Sequence, residues 1–399
     1  MILIEFYRIV HIKSLWCIKY TDTISAGGPI MRLVIFMITL LLVFNLSYSA
    51  SGQANVSVSA NNAVLIEQSS GRILYEKNAH DIQSIASITK IMTAIIAIES
   101  GMMDETTKTS RRALYTEGSS IYLEQGEKML IEDLVYGLML RSGNDASVAI
   151  GEHIAGSVEG FVSLMNEKAR WLGMTNTHFD NPHGLDSDNH YSTAYDMALL
   201  MRYAMDNEQF RKISGTTFYQ AQSRSYGWKN KNKLLTSLYE NCTGGKTGYT
   251  KKTGRTLATT ASKDGLDLIS VTLNAPDDWR DHIQMYEWGF KNYQLQSIAE
   301  KGTSRYKIKG TNNNIVGFTQ NDILFPLTET EMVEMYHNTF LLFPKKDFDE
   351  GDLIGKTIYY IDALPIVEIP IYSYKNDTGK KNSFFSDVIF NFKQVSGLR

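Results

Sequence analysis

A serine and a lysine three residues apart could act as a nucleophile and its base. Ser87 and Lys90 stand at the start of an apolar run, 91–98, that predicts a buried helix. Residues three apart on a helix share a face, so the hydroxyl and the amine would lie side by side. A serine hydroxyl needs a base to take its proton, and a buried lysine near another positive charge can be that base. We therefore predict that Ser87 attacks and that Lys90 activates it.

The same spacing also occurs at Ser304 and Lys307. That pair lies in a stretch of alternating polar side chains, and no apolar helix pattern follows it. The alternation predicts an exposed strand rather than a catalytic helix. Because short motifs often match by chance, the prediction for Ser87 and Lys90 depends on the motifs that follow them in the chain.

Ser142 and Asn144 are candidates for the second part of a site, since attack on a carbonyl also requires a proton for the leaving group. They lie between two helix patterns, 131–140 and 145–154, where a tight turn can project a hydroxyl and an amide into a cleft. A rival Ser-Asp-Asn triplet at 187–189 lies among turn formers in a long loop. We favour Ser142, because flanking helices hold a side chain more rigidly than a loop does.

A Lys-Thr-Gly triplet would line the far side of the cleft. On a strand, Lys246 and Gly248 point to one face and Thr247 to the other. The glycine lets a substrate backbone approach, while the lysine offers a positive charge to a carboxylate and helps to keep Lys90 neutral. A second Lys-Thr-Gly at 252–254 precedes the next strand, which predicts a solvated hairpin turn.

The elements that must position these residues are strands at both ends of a helical middle. The predicted strands are 63–67, 73–76, 241–248, 255–262 and 266–274, and the predicted helices are 131–140, 145–154, 158–172, 193–205 and 280–293. Strands that bracket helices predict one sheet packed with helices, which is an α+β fold.

Changes in composition divide the chain into four predicted segments. These are an N-terminal extension with a signal peptide (1–54), a domain that holds the candidate site (55–295), a small all-β domain (296–375) and a tail (376–399). The second domain is predicted from its many β-branched residues, its prolines and its few helix signals.

The N-terminal segment has the layout of a secretory signal peptide. Met31 and Arg32 give a short basic start, an apolar run covers 33–46, and small residues follow. The apolar run is shorter than the roughly 20 residues that span a bilayer, so cleavage is favoured over a membrane anchor. We predict that translation starts at Met31 and that the protein is exported.

Apolar side chains recur at helical spacing in the tail, between 383 and 393, with charged side chains elsewhere. This pattern is typical of an amphipathic helix that lies on a membrane surface. The alternative is a terminal helix that docks on the second domain.

Charge and composition exclude some classes of partner. The 399 residues carry a formal net charge of −3, which gives no support for nucleic-acid binding. The segment 245–247 could end a phosphate-binding loop only if position 240 were a glycine, and it is Glu240. We therefore expect no nucleotide site.

Neither the cysteines nor the histidines indicate a metal. Cys17 precedes the predicted cleavage point, so Cys242 would remain as a lone packing thiol. His178, His183 and His190 are interrupted by proline and glycine and lack a further ligand pattern. We predict that the protein binds no metal.

Ser-x-x-Lys, Ser-x-Asn and Lys-Thr-Gly, in this order, resemble the motifs of the penicillin-recognising serine enzymes. The longer contexts resemble serine-type D-alanyl-D-alanine carboxypeptidases, the low-molecular-mass penicillin-binding proteins of peptidase family S11. These contexts are residues 86–93, 141–145, 181–185, 245–250 and 288–290. The resemblance covers 55–295 and implies a β-lactamase/transpeptidase-like catalytic domain with an antiparallel sheet. The β-rich domain and the tail resemble the family more loosely.

The resemblance also implies a mechanism. Ser87 would be acylated by the penultimate D-alanine of a peptidoglycan pentapeptide, with Lys90 as the proton acceptor. Ser142 would relay a proton to the departing D-alanine, and water would then hydrolyse the acyl-enzyme. The N–H groups of Ser87 and Tyr249 would form the oxyanion hole. No cofactor is implied.

Substrate contacts follow from the same resemblance. Asn144 would hold the substrate amide, Lys246 and Thr247 would bind the terminal carboxylate, and Gly248 would leave room for the substrate. β-Lactams would acylate Ser87 instead. The enzyme would act in cell-wall synthesis and remodelling, at the outer face of the cytoplasmic membrane or in the cell-wall space. The alternatives are a β-lactamase or transpeptidase with the same nucleophile, or a penicillin-binding sensor without turnover.

Overall fold

The computed structural model describes residues 56–307, 314–342 and 349–374. The predicted signal peptide, the predicted start at Met31 and the amphipathic tail lie outside these residues. Within the described ranges, none of the helices combines the length and the apolar character needed to cross a membrane.

The described chain contains both strands and helices, which occur mostly in runs of one kind. The strands are β1 (Asn62–Glu67), β2 (Ile73–Lys77), β3 (Thr106–Lys108), β4 (Lys128–Leu130), β5 (Phe218–Tyr219), β6 (Trp228–Lys229), β7 (Cys242–Thr250), β8 (Gly254–Lys263), β9 (Leu266–Leu273), β10 (Gln294–Ala299), β11 (Gly302–Lys307), β12 (Asn314–Thr319), β13 (Ile323–Leu327), β14 (Tyr336–Leu341), β15 (Leu353–Ile361) and β16 (Leu364–Ser373). The α-helices are α1 (Lys90–Glu99), α2 (Arg111–Leu114), α3 (Ile131–Arg141), α4 (Asn144–Ala155), α5 (Val158–Trp171), α6 (Ala194–Asp206), α7 (Glu208–Ser214), α8 (Asp278–Asn292) and α9 (Glu329–Glu334).

An antiparallel sheet of five strands, in the order β2-β1-β9-β8-β7, forms the centre of the part that holds the candidate site. Neighbouring residues of its strands point to opposite faces. Val64 and Ile66 join the core formed with α1, α3 and α6, while Leu65 packs with Met285 and Tyr286 of α8 on the other face. The predicted α+β fold, an antiparallel sheet with helices packed on it, is confirmed.

The helix at Ser87 begins differently from the prediction. Ala86–Thr89 form a 3₁₀ turn, and the α-helix starts only at Lys90. Ala86 has a φ of 49°, in the left-handed region, so the chain turns sharply as it enters the helix. In a 3₁₀ turn residues i and i+3 eclipse each other, which aligns Ser87 with Lys90 even more closely than an α-helix would.

A second sheet of five strands, in the order β11-β12-β16-β15-β14, accounts for most of the β-rich half. A separate apolar cluster packs this half, and it includes Phe325, Tyr359 and Ile369. Ser304 lies in β11 and is exposed, as its alternating pattern predicts. A β-rich second domain is thus confirmed, whereas its boundaries at 296 and 375 stay predictions.

Several short elements escaped the sequence analysis. They are α7, α9, the two-residue strands β5 and β6, and a π-helical turn at Leu234–Leu238. The second domain is therefore not purely β. Helix α9 has no fully buried side chain and shows no apolar period in its sequence. A capping box between Thr328 and Glu331 stabilises its first turn.

Candidate active site

The hydroxyl of Ser87 and the amine of Lys90 lie next to each other. The distance between Ser87 Oγ and Lys90 Nζ is 3.0 Å. Lys90 is fully buried, and its Nζ also donates to Asn144 Oδ1 at 2.7 Å and to the carbonyl oxygen of His183. Three oxygen atoms therefore surround the nitrogen.

The surroundings of Lys90 favour its neutral form. Burial lowers the pKa of Lys90 well below its usual value, and the positive charges of Lys246 and Lys231 lower it further. A neutral amine has two N–H bonds and one lone pair. The amide oxygen of Asn144 and the carbonyl of His183 can only accept, so they take the two N–H bonds. The lone pair is left facing the hydroxyl of Ser87, as a general base requires.

The orientation of Asn144 is set by the segment 117–123. Its Nδ2 donates to the carbonyl oxygen of Glu117 at 2.6 Å, and its backbone N–H donates to the carbonyl of Ser119 at 2.7 Å. Because a carbonyl oxygen only accepts, the amide nitrogen must face Glu117. The amide oxygen must then face Lys90.

Ser142 ends helix α3 in a left-handed conformation, with a φ of 65°. This turn between α3 and α4 projects its side chain toward β7, where Lys246 Nζ lies 3.0 Å from Ser142 Oγ. Both residues are almost completely buried. The same Nζ donates to the carbonyl oxygen of Thr247 at 2.6 Å. Burial and the nearby charge of Lys231 lower the pKa of Lys246 to about 7.

Gly248 allows β7 to pass close to Ser87. A Cβ atom at this position would lie 2.9 Å from the backbone nitrogen of Ser87 and 2.3 Å from Thr256 Oγ1. Both distances are shorter than a carbon atom tolerates. The next residue, Tyr249, is 64% exposed. Strand β7 stands at one end of the strand order, and its Gly248 lies against the 3₁₀ turn that carries Ser87.

The two rival triplets meet each other instead. Thr253 Oγ1 donates to Asp186 Oδ1 at 2.8 Å, and Lys252 forms an exposed ion pair with Asp188 at 3.6 Å. The triplet at 252–254 lies in the turn before β8, as predicted, but Thr253 is buried. The prediction of a solvated hairpin turn is therefore wrong for Thr253, because the long loop covers this turn.

The sequence analysis missed Lys231. Its Nζ lies 3.3 Å from Ser119 Oγ, and it lowers the pKa of both buried lysines of the site. Burial and Arg141 lower the pKa of Lys231 itself. Lys231 stands between two asparagines in a stretch without a helix or strand period, so no pattern marked it. The carbonyl groups of Glu117 and His183 were missed because backbone atoms carry no sequence signal.

Two histidines of the long loop, His183 and His190, contact the turn and helix start that carry Ser87 and Lys90. His190 Nδ1 accepts from the N–H of Asp180 at 3.1 Å, so its Nε2 donates to Thr89 Oγ1 at 2.8 Å. Burial lowers the pKa of His183 to about 3 and that of His190 to about 4. Among the described residues, no three His, Cys, Asp or Glu side chains are grouped so that they could hold a metal ion.

Cys242 is buried within β7, and its sulfur lies 3.6 Å from the carbonyl oxygen of Gly244. Burial raises the pKa of this thiol to about 11. A thiol in this state is a poor nucleophile, in agreement with a packing role.

Comparison with known proteins gives the family. A model of the peptidase S11 family, described as D-alanyl-D-alanine carboxypeptidase, matches residues 49–277, which is more than half of the 399 residues. The chain belongs to this family. The enzyme is a serine-type D-alanyl-D-alanine carboxypeptidase, a hydrolase of peptidoglycan metabolism, and the prediction from its three motifs is confirmed.

Relatives and solved structures agree with this assignment. The enzyme is 36% identical to the D-alanyl-D-alanine carboxypeptidase DacF of Bacillus subtilis over 260 residues, which are 63% of this chain and 67% of that protein. Penicillin-binding protein 5 from Haemophilus influenzae is similar in structure, with a TM-score of 0.68, 28% identity and coverage of 79% of this chain and 97% of that chain. A mutant of a Streptomyces DD-transpeptidase is also similar, with a TM-score of 0.56, 30% identity and coverage of 59% and 99%.

Proposed function

We propose that Ser87 is the nucleophile of this carboxypeptidase and that neutral Lys90 is its base. The observation that carries the proposal is the position of Lys90 Nζ between two oxygen atoms that can only accept and one hydroxyl. The Ser87 proton moves to Lys90 Nζ while Oγ bonds to the carbonyl carbon of the penultimate D-alanine. An acyl-enzyme forms when the C–N bond to the last D-alanine breaks.

Ser142 passes a proton to the amine of the departing D-alanine. Its Oγ is 3.0 Å from Lys246 Nζ, which can return a proton to it in its charged form. Water then attacks the ester carbonyl of the acyl-enzyme, and its proton passes by way of Ser142 to Lys246. Lys90 returns its proton to Ser87 Oγ as the ester C–O bond breaks, which restores the hydroxyl and the starting charge of both lysines. The N–H groups of Ser87 and Tyr249 hold the oxyanion in both steps.

Lys246 and Thr247 bind the terminal carboxylate, and Asn144 holds the substrate amide. Lys246 is well suited to this role, because a cation in a buried site binds an anion more strongly than one in water. Gly248 leaves the space that the substrate backbone needs beside β7. The substrate is a stem pentapeptide of peptidoglycan, and β-lactams acylate Ser87 in its place.

The enzyme acts outside the cytoplasm, where peptidoglycan lies. Export through the predicted signal peptide within 1–54 would bring it there, with translation starting at Met31. The amphipathic pattern at 383–393 would hold it at the outer face of the cytoplasmic membrane. N-terminal sequencing of the mature protein that began before Met31 would contradict this part of the proposal.

Mapping of the acylated residue tests the assignment of the nucleophile. We expect a fluorescent penicillin to label Ser87, and we expect Ser87→Ala to release no D-alanine from a pentapeptide analogue. Ser304→Ala is the matched control, because it changes the rival motif in exposed strand β11, and it should keep wild-type release. A label on another residue, or release by Ser87→Ala, would overturn the assignment.

A transpeptidase is the second candidate, because a DD-transpeptidase is among the similar structures. Both reactions share the acyl-enzyme and differ in the group that accepts the acyl chain. With an amine acceptor present, a transpeptidase would form cross-linked product, whereas the proposed enzyme should mainly release free tetrapeptide. Fast turnover of penicillin would instead indicate a β-lactamase. Acylation of Ser87 without any release of D-alanine would indicate a penicillin-binding sensor.

A further inference from the structure

Asp145 is a buried carboxylate that the mechanism does not use. It follows Asn144 in the first turn of α4 and is only 1% exposed. Its two oxygens accept from the backbone N–H groups of Ile121 and Leu123 at 3.1 Å and from Ser120 Oγ at 2.6 Å. A single side chain therefore holds three groups of the segment 117–123.

The segment 117–123 needs such a partner. It is neither helix nor strand, so its N–H groups have no regular backbone partners. Without the carboxylate, the buried N–H groups of Ile121 and Leu123 would lose the acceptor that satisfies them, which is costly in a protein interior. Asp145 therefore decides where this segment lies.

The same segment sets the orientation of Asn144. The carbonyl groups of Glu117 and Ser119 accept from the side chain and the backbone of Asn144, and the Asn144 amide oxygen faces Lys90. If the segment moves, the amide of Asn144 can rotate. Lys90 then loses one of the two acceptors that direct its lone pair toward Ser87.

We propose that Asp145 is a positioning residue for the general base. It acts on Lys90 through the segment 117–123 and through Asn144, and it touches neither the substrate nor the reacting atoms. The inference rests on the proposed roles of Ser87 and Lys90.

A purely electrostatic role makes the opposite prediction. The negative charge of Asp145 favours the charged form of Lys90, so its removal alone would make more neutral base available. Acylation would then become faster at low pH. The positioning role predicts slower acylation across the whole pH range.

The test measures the rate constant of acylation by a fluorescent penicillin in the full chain. We expect Asp145→Asn to lower this rate constant about 10- to 100-fold at its pH optimum, a typical cost of a misplaced catalytic group. Asp281→Asn is the matched control. Asp281 is equally buried and accepts from the backbone of Ser59 and Ala60, on the side of the sheet that carries α8, and its variant should acylate within about twofold of wild type.

Two further measurements separate positioning from loss of folding. Hydrogen exchange at Ile121 and Leu123 should become faster in Asp145→Asn and stay unchanged in Asp281→Asn. If Asp145→Asn does not fold, Ser120→Ala removes one hydrogen bond to the same carboxylate, and it should lower the acylation rate constant by a smaller factor, about threefold.

A double-mutant cycle decides whether Asp145 acts through Asn144. In an Asn144→Ala background, Asp145→Asn should cause almost no additional loss of rate, because the group it positions is gone. The inference would be overturned if the losses of rate from the two mutations multiplied. It would also be overturned if Asp145→Asn acylated at the wild-type rate, or faster than wild type at low pH. Failure of the wild-type enzyme to acylate at Ser87 would instead overturn the proposed function, so the two failures can be distinguished.

Discussion

The amine of Lys246 lies 3.0 Å from the hydroxyl oxygen of Ser142, although 104 residues separate them in the chain. This pair repeats the relationship between a buried lysine and a serine that Lys90 and Ser87 show. The two lysines face each other across the site closely enough that Lys246 lowers the pKa of Lys90. One lysine can therefore be neutral while the other carries the charge that binds a carboxylate.

The role of Lys246 predicts a loss of activity at high pH. Its pKa is lowered to about 7, so in the free enzyme it loses its positive charge as the pH rises through 7. We expect kcat/KM for a pentapeptide analogue to fall as the pH rises above 7. In Lys246→Met this fall should be absent, and KM should be about 10- to 100-fold higher than in wild type. Lys252→Met, in the rival triplet, should keep the wild-type pH profile. An unchanged KM in Lys246→Met would contradict carboxylate binding.

Gly248→Ala should block acylation. The new Cβ would lie 2.9 Å from the Ser87 nitrogen, so β7 or the 3₁₀ turn must move, and we expect the acylation rate to fall about 100-fold. Gly289→Ala on α8 is the control, because its Cβ would meet Leu268 at 2.8 Å, away from the site. Both variants should lose about 1–3 kcal/mol of unfolding free energy, but only the first should lose acylation. Equal acylation rates in the two variants would show that the contact with Ser87 is unimportant.

One hydrogen bond between the turn before β8 and the long loop should contribute to stability. Thr253 is buried and donates to Asp186, so Thr253→Val should lower the free energy of unfolding by about 1–3 kcal/mol, which urea denaturation can measure. Asp188→Asn removes only an exposed ion pair with Lys252 and should change stability by less than about 0.5 kcal/mol. A larger loss of stability in Asp188→Asn than in Thr253→Val would refute this interpretation of the loop.

Stability should fall in mild acid because three histidines are buried in their neutral form. The pKa of His183 and of His282 is lowered to about 3, and that of His190 to about 4, from a usual value of 6.5. Below pH 6.5 the unfolded chain binds protons that the folded protein does not. The stabilisation present above pH 6.5 is therefore lost as the pH falls toward 3, by at most about 1.4 kcal/mol per pH unit for each histidine.

His282→Gln tests one of the two largest contributions to this loss. His282 is fully buried between Thr259 and Thr272. Its replacement should reduce the slope of unfolding free energy against pH by at most about 1.4 kcal/mol per pH unit, which is the contribution of one histidine. A slope equal to that of the wild-type protein would mean that other groups cause the acid sensitivity.

Local patterns predicted much of the fold. The runs of apolar residues marked α3, α4 and α5 to within one or two residues. Helix α5 buries one face, whereas α3 and α4 are buried on almost every side. Short runs rich in apolar and β-branched residues marked β8 and β9, and both strands are buried on both faces. Short elements such as α7 and α9 were missed, since six or seven residues are too few to establish a period and capping contacts stabilise them instead.

The sequence by itself determined which chemical groups are present, in what order, and that Ser87 and Lys90 share a face, because spacing along one helical turn is a local property. Only the tertiary structure decided which Ser-x-Asn and which Lys-Thr-Gly reach that serine. It also brought in Lys231 and the carbonyl of His183, and it buried both lysines enough to lower their pKa. Contacts between distant residues and the removal of water arise only when the sheet and the helices pack together, so no local pattern encodes them.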